Sequence, residues 1–212
     1  MKSIKRLSVL LIFATFFSAC AKIFYSPDAY QLAQNQRTIA IILPNVSIAA
    51  NKKIDAESMK EQQKTEAVNF QLEIYSWMLK RKMQGKISQE IQEIQTTNAK
   101  LKKAGYPENG LTTVELCELL GVDGIMTSNF GLSKPMSEGS AIAIGLLFGA
   151  WGATNEVHVS LSINDCSNKK LIWNYDHKYS AGLGSSPASL VDGLMRHASR
   201  KMPYAISNQN IE

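Results

Sequence analysis

Apolar residues recur along the chain in patterns that change from one stretch to the next, and each change marks an element. Thr38-Ile39-Ala40-Ile41-Ile42-Leu43-Pro44 is a continuous β-branched run stopped by proline, which suits a central strand covered on both faces. Asn45 to Lys53 reads as a loop. From Asp55, a good N-cap type, the spacing predicts a helix to about Gln84 with Gly85 as its stop. Ala67, Phe70, Ile74 and Met78 recur at helical spacing, and Val68, Leu72, Tyr75 and Leu79 flank them, so a wide buried face is expected. Lys60 to Lys64 reads as solvated. Lys80, Arg81, Lys82 and Lys86 cluster where that helix ends, where they complement the negative end of its dipole.

Further on, Ile87 to Thr96 is compatible with helix or strand, and a short strand near Glu90 to Gln95 is expected. A short helix over Thr97 to Ala104 follows, closed by Gly105. Thr112 and Glu115 have capping-box spacing for a helix through Leu120, and Gly124 to Phe130 reads as a strand. Val157, Val159, Leu161 and Ile163 alternate with His158, Ser160 and Ser162, the period of a half-buried strand. Leu171, Trp173, Tyr175, His177 and Tyr179 alternate likewise, so the two segments predict a hairpin around the polar turn 165–170. Ser186 caps a last helix with Pro187 at its first position. Together these predict an α/β fold: a mixed central β-sheet with packed helices, including a C-terminal β-hairpin followed by a helix.

The first twenty residues follow none of these patterns. Lys2, Lys5 and Arg6 precede an apolar run from Leu7 to Phe17, and Phe17-Ser18-Ala19-Cys20 ends it. The run is about ten residues where a bilayer-spanning helix needs roughly twenty, so it reads as a secretory signal. With its cysteine it resembles the lipobox of bacterial lipoproteins. The resemblance implies cleavage before Cys20 and a diacylglycerol and an N-acyl lipid carried covalently by Cys20, with no other cofactor. The expected organisation is a signal peptide over 1–19, a lipidated cysteine and tether over 20–37, a single α/β domain over 38–205 and a tail over 206–212. Residues 21–37 show no periodicity, and a tether of that length spans at most about 60 Å.

Charge and cysteine usage then narrow the partners. The chain has 23 Lys and Arg against 18 Asp and Glu, but three of the basic residues lie in the leader, leaving a net of about +2. No basic run is interleaved with aromatics, which argues against nucleic acid as a partner. Once Cys20 is lipidated, Cys117 and Cys166 remain as an even pair that an oxidising compartment can keep bonded. Cys117 points to the core and Cys166 lies in a turn, so a buried free thiol is the plainer alternative.

The candidate chemical sites are sparse. A hairpin register that set His158 against His177 would also set apolar residues beside polar ones. A slip of one residue matches Leu161 with Trp173 or Tyr175 and sends the histidines to opposite faces. Burial at about 1.5–3 kcal/mol per large side chain favours that slip, so no metal site is expected. Gly182 to Pro187 lacks the lysine of a phosphate loop and the spacing of a nucleophile elbow. It reads as a capped loop, and a non-enzymatic protein is expected, with a periplasmic hydrolase using Ser185 or Ser186 as the outside alternative. The segment 139–155 carries no charged residue, Glu138 and Glu156 lying just outside it. Ile142, Ile144, Leu146, Leu147, Phe148 and Trp151 make it a candidate interaction surface, the alternative being a buried connection.

The motif order brings a family resemblance. Thr38 to Pro44, the long helix, Leu119-Leu120-Gly121-Val122-Asp123-Gly124-Ile125-Met126, Asp165 with Leu171-Ile172-Trp173, and a closing helix ending at Pro203 resemble the CsgG, LpoB and TolB N-terminal-domain group over about Arg37 to Tyr204. The resemblance implies a non-enzymatic envelope protein that binds or assembles with other proteins. The segment around Gly145 is too short for the membrane hairpins of CsgG-like channels, and the expected tether is shorter than the tail of LpoB-like activators. The expectation is a lipid-anchored outer-membrane lipoprotein facing the periplasm, with Ala21 compatible with outer-membrane sorting. It would act as an accessory module that engages a protein partner or its own copies, or as a subunit of a CsgG-related secretion complex.

Overall fold

The computed structural model describes residues 21–49, 55–134, 136, 156–180 and 186–206. Within these, seven strands form one mixed sheet: β1 (Lys22–Tyr25), β2 (Thr38–Ile41), β3 (Asn45–Ile48), β4 (Glu90–Ile91), β5 (Gly124–Leu132), β6 (Glu156–Asp165) and β7 (Lys170–Ser180). The helices are α1 (Ala29–Asn35), α2 (Ala56–Met83), α3 (Ile94–Lys103), α4 (Thr113–Leu120) and α5 (Pro187–Ala198). The order across the sheet is β1-β7-β6-β5-β2-β4, and β3 also pairs with β5. The pairings β1–β7, β7–β6 and β6–β5 are antiparallel, while β2 and β3 run parallel to β5, and β4 to β2.

Two cores follow from the alternation of side chains across this sheet. On one face Ile39, Ile41, Met126, Phe130, Leu161 and Trp173 meet Phe70, Ile74 and Met78 of α2 and Leu190 and Leu194 of α5. On the other, Ala40, Ile42 and Ile125 meet Leu101 of α3 and Leu116 and Leu120 of α4. β2 is thus covered on both faces, as its unbroken apolar run requires. The second face loses its helical cover past the start of β5. There Asn129 is exposed, and Thr127 and Gly131 are partly so.

The hairpin register sets Leu161 against Tyr175 and Ile163 against Trp173, with a bulge before Asn164. The extra residue lets Ile172 and Trp173 both enter the core. Asp55, Thr112 and Ser186 cap α2, α4 and α5, the last two through full capping boxes. Asp55 and Glu115 are held below the usual carboxylate range, chiefly by hydrogen bonds from Ser58 and Thr112 respectively.

Several expectations are corrected. The expected tether is part of the domain: β1 pairs with β7, and α1 buries Ala29 and Ala33. Ile23 and Tyr25 pack against the first core, Tyr25 stacks on Tyr30 at 5.6 Å, and the Tyr25 hydroxyl donates to the Lys201 carbonyl at 2.5 Å. Residues 22–35, expected as tether, are therefore part of the described fold. Asn45–Ile48 is a strand rather than loop, continuing the line of β2 along β5 after a break at Ile42–Pro44. The strand expected to Gln95 is only Glu90–Ile91, because Ile94, Thr97 and Leu101 bury together as one face of α3. On α2, Val68 and Leu72 are 44% and 45% exposed, whereas Gln62 and Glu66 are buried.

Candidate functional site

Where the chain comes in sets the candidate interface. Ala21 is the first described residue, and Lys22 is already opposite Asp176 of β7. Cys20 lies outside the described residues, but it precedes Ala21 directly, and two residues span about 7 Å at most. Because β1 is antiparallel to β7, that entrance lies toward the end of the sheet where β3 and β5 finish and β6 begins.

The side chains at this end are polar and mutually paired. His158 Nε2 lies 3.0 Å from Asp176 Oδ2, and Lys178 Nζ lies 2.5 Å from Glu156 Oε1. Asn174 donates to both the Ser160 and Ser162 hydroxyls at 2.9 Å. A cavity of about 360 Å³ opens here, lined by Ser47, Ile48, Leu132, Glu156, His158 and Lys178 among others. The exposed ion pairs add little stability. Their effect is to present a hydrated, charge-balanced face that no described helix covers, with Phe24 on the outer edge 48% exposed.

The loop leaving β5 at this end is anchored by α2. The Glu66 carboxylate accepts from the Met136 backbone N–H at 2.6 Å and from Gln62 Nε2 at 2.9 Å. Ser133 and Glu156 close the other side, Ser133 N–H donating to the Glu156 carbonyl and Glu156 N–H to the Ser133 hydroxyl. Ile142, Ile144, Leu146, Leu147, Phe148 and Trp151, the candidate interaction surface, lie outside the described residues between these two anchors.

The remaining candidates separate into distinct places. Cys117 and Cys166 are joined, with sulfurs 2.09 Å apart and Cα atoms 5.5 Å apart, fastening α4 to the turn after β6. His158 and His177 point to opposite faces, His158 outward and His177 among Tyr175 and Tyr179. Burial, and then the nearby His197, hold the His177 imidazole below its usual pKa. Ser186 spends its hydroxyl on the Ser189 N–H as the cap of α5, and Ser185 lies outside the described residues. Among the described residues no group of three or more His, Cys, Asp or Glu is placed to hold a metal. No helix among them is long and apolar enough to cross a membrane.

Two features escaped the sequence pattern. Val68, Leu72, Tyr75 and Leu79 fall at i, i+4, i+7 and i+11, a second stripe beside the core-facing one. Tyr75 and Leu79 lean on the core, but Val68 and Leu72 stay half exposed. The only signal was the width of the apolar face, more than one packed layer can cover. The second feature is a buried polar chain at the opposite end of the sheet. Tyr204 Oη donates to Gln36 Oε1 at 2.5 Å, and Gln36 Nε2 donates to Asp165 Oδ1 at 2.8 Å. Asp165 Oδ2 accepts from the Asn168 N–H at 2.7 Å.

No protein-family model matches the chain, and no curated protein does. Among solved structures it is similar to lipoprotein GNA1162 from Neisseria meningitidis, at 13% identity and a TM-score of 0.45 over 81% of this chain and 99% of that one. It is also similar to the PelC dodecamer from Paraburkholderia phytofirmans, at 9% identity and a TM-score of 0.35 over 88% and 97%. The LpoB C-terminal domain from Escherichia coli aligns at 8% identity and a TM-score of 0.33 over 71% and 94%. These are likenesses of layout, and no residue is carried across from them.

Proposed function

We propose that the chain is a non-enzymatic accessory module of the bacterial envelope, held by a lipidated Cys20 at the outer membrane on its periplasmic side, where it binds a protein partner. The observation that carries this reading is the junction between the lipobox and the fold. The residue after Cys20 leads straight into a paired strand, so an acylated Cys20 would hold the sheet against the bilayer. The half-exposed Val68 and Leu72 on α2 support a protein contact, because a bare apolar pair on an otherwise well-packed helix gains by being covered. Membership of the CsgG, LpoB and TolB N-terminal-domain group is part of the proposal, supported by the order of strand, long helix, hairpin and closing helix.

Metabolic labelling with a palmitate analogue, followed by crosslinking in cells, tests both halves. Cys20→Ser is expected to abolish labelling and to leave a soluble or unprocessed form. Val68→Ser with Leu72→Gln is expected to keep labelling and melting temperature while losing the crosslinked partner. Labelling that survives Cys20→Ser overturns the anchor, and an unchanged crosslink pattern in the α2 variant overturns the contact.

A further inference from the structure

The second apolar line on α2 has the spacing of a helix seam. Val68, Leu72, Tyr75 and Leu79 are separated by four, three and four residues, the alternation of a coiled coil. At about 100° per residue the four lie within an arc of roughly 60°, centred about 130° around the helix from Phe70, Ile74 and Met78. Met83 extends the line by one more turn. Tyr75 and Leu79 are partly buried, whereas Val68 and Leu72 are half exposed and Met83 is 88% exposed. One face of α2 thus holds three of the six large apolar residues exposed among the described residues.

The charges beside this line are sorted along it. Asp55, Glu57 and Glu61 flank its start, and Lys80, Arg81, Lys82 and Lys86 its end. Part of the set is spent within the chain, since Lys64 reaches Glu61 at 3.0 Å and Lys82 reaches Glu90 at 2.5 Å. Lys80 and Lys86 stay exposed, so the basic end is the stronger of the two. A helix running antiparallel to α2 places its N-terminal half beside these lysines. Acidic residues there suit both the lysines and the positive end of that helix's own dipole.

We propose that this stripe seats an amphipathic helix of a partner protein, antiparallel to α2, with apolar residues in the same four-three spacing and an acidic N-terminal half. The proposal rests on the protein contact proposed at Val68 and Leu72 and adds what covers it. Another helix crossing at about 20° meets such a seam along its whole length. From Val68 to Met83 the stripe runs about 22 Å, room for about four turns of partner. A second copy of this chain fits worse. Side by side in the same direction it sets its own lysines against these, and head to tail it carries its Cys20 to the far end, away from the bilayer of the proposed anchor.

Fluorescence anisotropy tests the seat with a labelled peptide of three heptads, leucine at its apolar positions, glutamate flanking the first half and lysine the second. It is titrated with the lipidated mature chain in phosphatidylcholine nanodiscs, empty nanodiscs serving as the blank. Saturable binding is expected, about tenfold weaker for the peptide with its charges exchanged end for end. It should be lost in Val68→Ser with Leu72→Gln, whose melting temperature stays at the wild-type value. Equal affinity for both peptides, binding that survives the α2 variant, or no saturable binding overturns the proposal. So does self-association of the chain that the α2 variant abolishes, which assigns the stripe to a second copy. Binding that appears only with Ile144→Asn, Leu147→Asn and Phe148→Asn also overturns it, assigning the stripe to the chain's own apolar segment. A cellular crosslink that depends on Val68 and Leu72 while no peptide binds keeps the contact and removes the helix as its occupant.

Discussion

Replacing Gly124 by alanine tests the buried polar chain that joins Tyr204, Gln36 and Asp165. A Cβ built on Gly124 would lie 2.1 Å from Gln36 Oε1, 2.7 Å from its Cδ and 3.0 Å from the Tyr204 hydroxyl. Gly124 is not among the positive-φ glycines, so the cost of alanine is steric rather than conformational. Gln36 cannot swing away freely. Its N–H is tied to the Ala33 carbonyl, and the next two N–H groups, of Arg37 and Thr38, both donate to Asp123 Oδ2. Displacing the amide breaks a hydrogen bond to the Asp165 carboxylate and one from the Tyr204 hydroxyl, all within the buried interior. At about 1.5–3 kcal/mol for the charged bond and 1–3 for the stranded hydroxyl, the expected loss is roughly 3–5 kcal/mol. For a domain of this size, that lowers Tm by roughly 6–20 °C. Gly131→Ala in the same strand is the control, since its nearest contacts are 3.7 Å away and it should stay within about 0.5 kcal/mol of wild type. Calorimetry on both variants and on Tyr204→Phe completes the measurement. The Tyr204→Phe cost should shrink in the Gly124→Ala background, because the two changes break the same bond. A Gly124→Ala protein melting with the wild type, or strictly additive costs, refutes the steric argument.

Other predictions rest on separate parts of the fold. The Cys117–Cys166 bond closes a separation of 49 residues, worth roughly 4 kcal/mol by chain entropy; reduction should lower Tm by roughly 8–16 °C, and two reactive thiols in native protein would contradict the bond. Burial, and then the charges of Asp165 and Asp123, raise the Tyr204 hydroxyl well above its ordinary pKa. Its contribution is therefore whole below about pH 10 and is lost as pH rises toward the folded pKa, so wild type should lose about 1.4 kcal/mol per pH unit more than Tyr204→Phe there; parallel denaturation curves would refute this. Twenty Gly and Ser residues inserted between Ala21 and Lys22 would add a spacer of about 25 Å root-mean-square length; lipid labelling and Tm should persist while the crosslinked partner is lost, and retained crosslinking would show that the domain's height above the bilayer is immaterial.

The elements with long, unambiguous periods were legible: β2, α2, the β6–β7 hairpin and α5 all lie where apolar spacing puts them. Burial fixed which face of the hairpin turns inward but left Leu161 opposite Trp173 or Tyr175; the structure pairs it with Tyr175 and adds a bulge after Ile163 that no local pattern signals. What escaped was short. A four-residue strand and a seven-residue helix offer too few repeats for periodicity to register, so β1 and α1 passed as a tether. β1 forms because β7 presents Trp173 and Tyr175 to Tyr25 and Ile23, a long-range cause absent from the local sequence. Val68 and Leu72 fail for the opposite reason. Their spacing is helical and apolar, but whether a neighbour covers them depends on where α5 and the sheet lie.

Folding the first residues into the sheet changes how far the module can act. With a free tether, any face could meet a partner tens of ångströms from the bilayer. With β1 paired from Lys22 onward, the reach is set by the domain itself, and α2 is its ruler. At about 1.5 Å per residue, its 28 residues span about 42 Å. The helix starts at the end of the sheet where β3 finishes and stops just before Gly85, beside the end of α5. Along that axis Val68 and Leu79 lie about 18 and 35 Å from the first turn. On the proposed anchoring at Cys20, a partner covering the exposed Val68 and Leu72, about 18 and 24 Å along that axis, would meet the module near its mid-height. The paired charges of His158, Asp176, Glu156 and Lys178 sit at the other end, the end that the proposed anchor would set nearest the bilayer. If Cys20 is lipidated as proposed, such a module would contact a partner at one distance from the membrane, which a flexible tether would not fix.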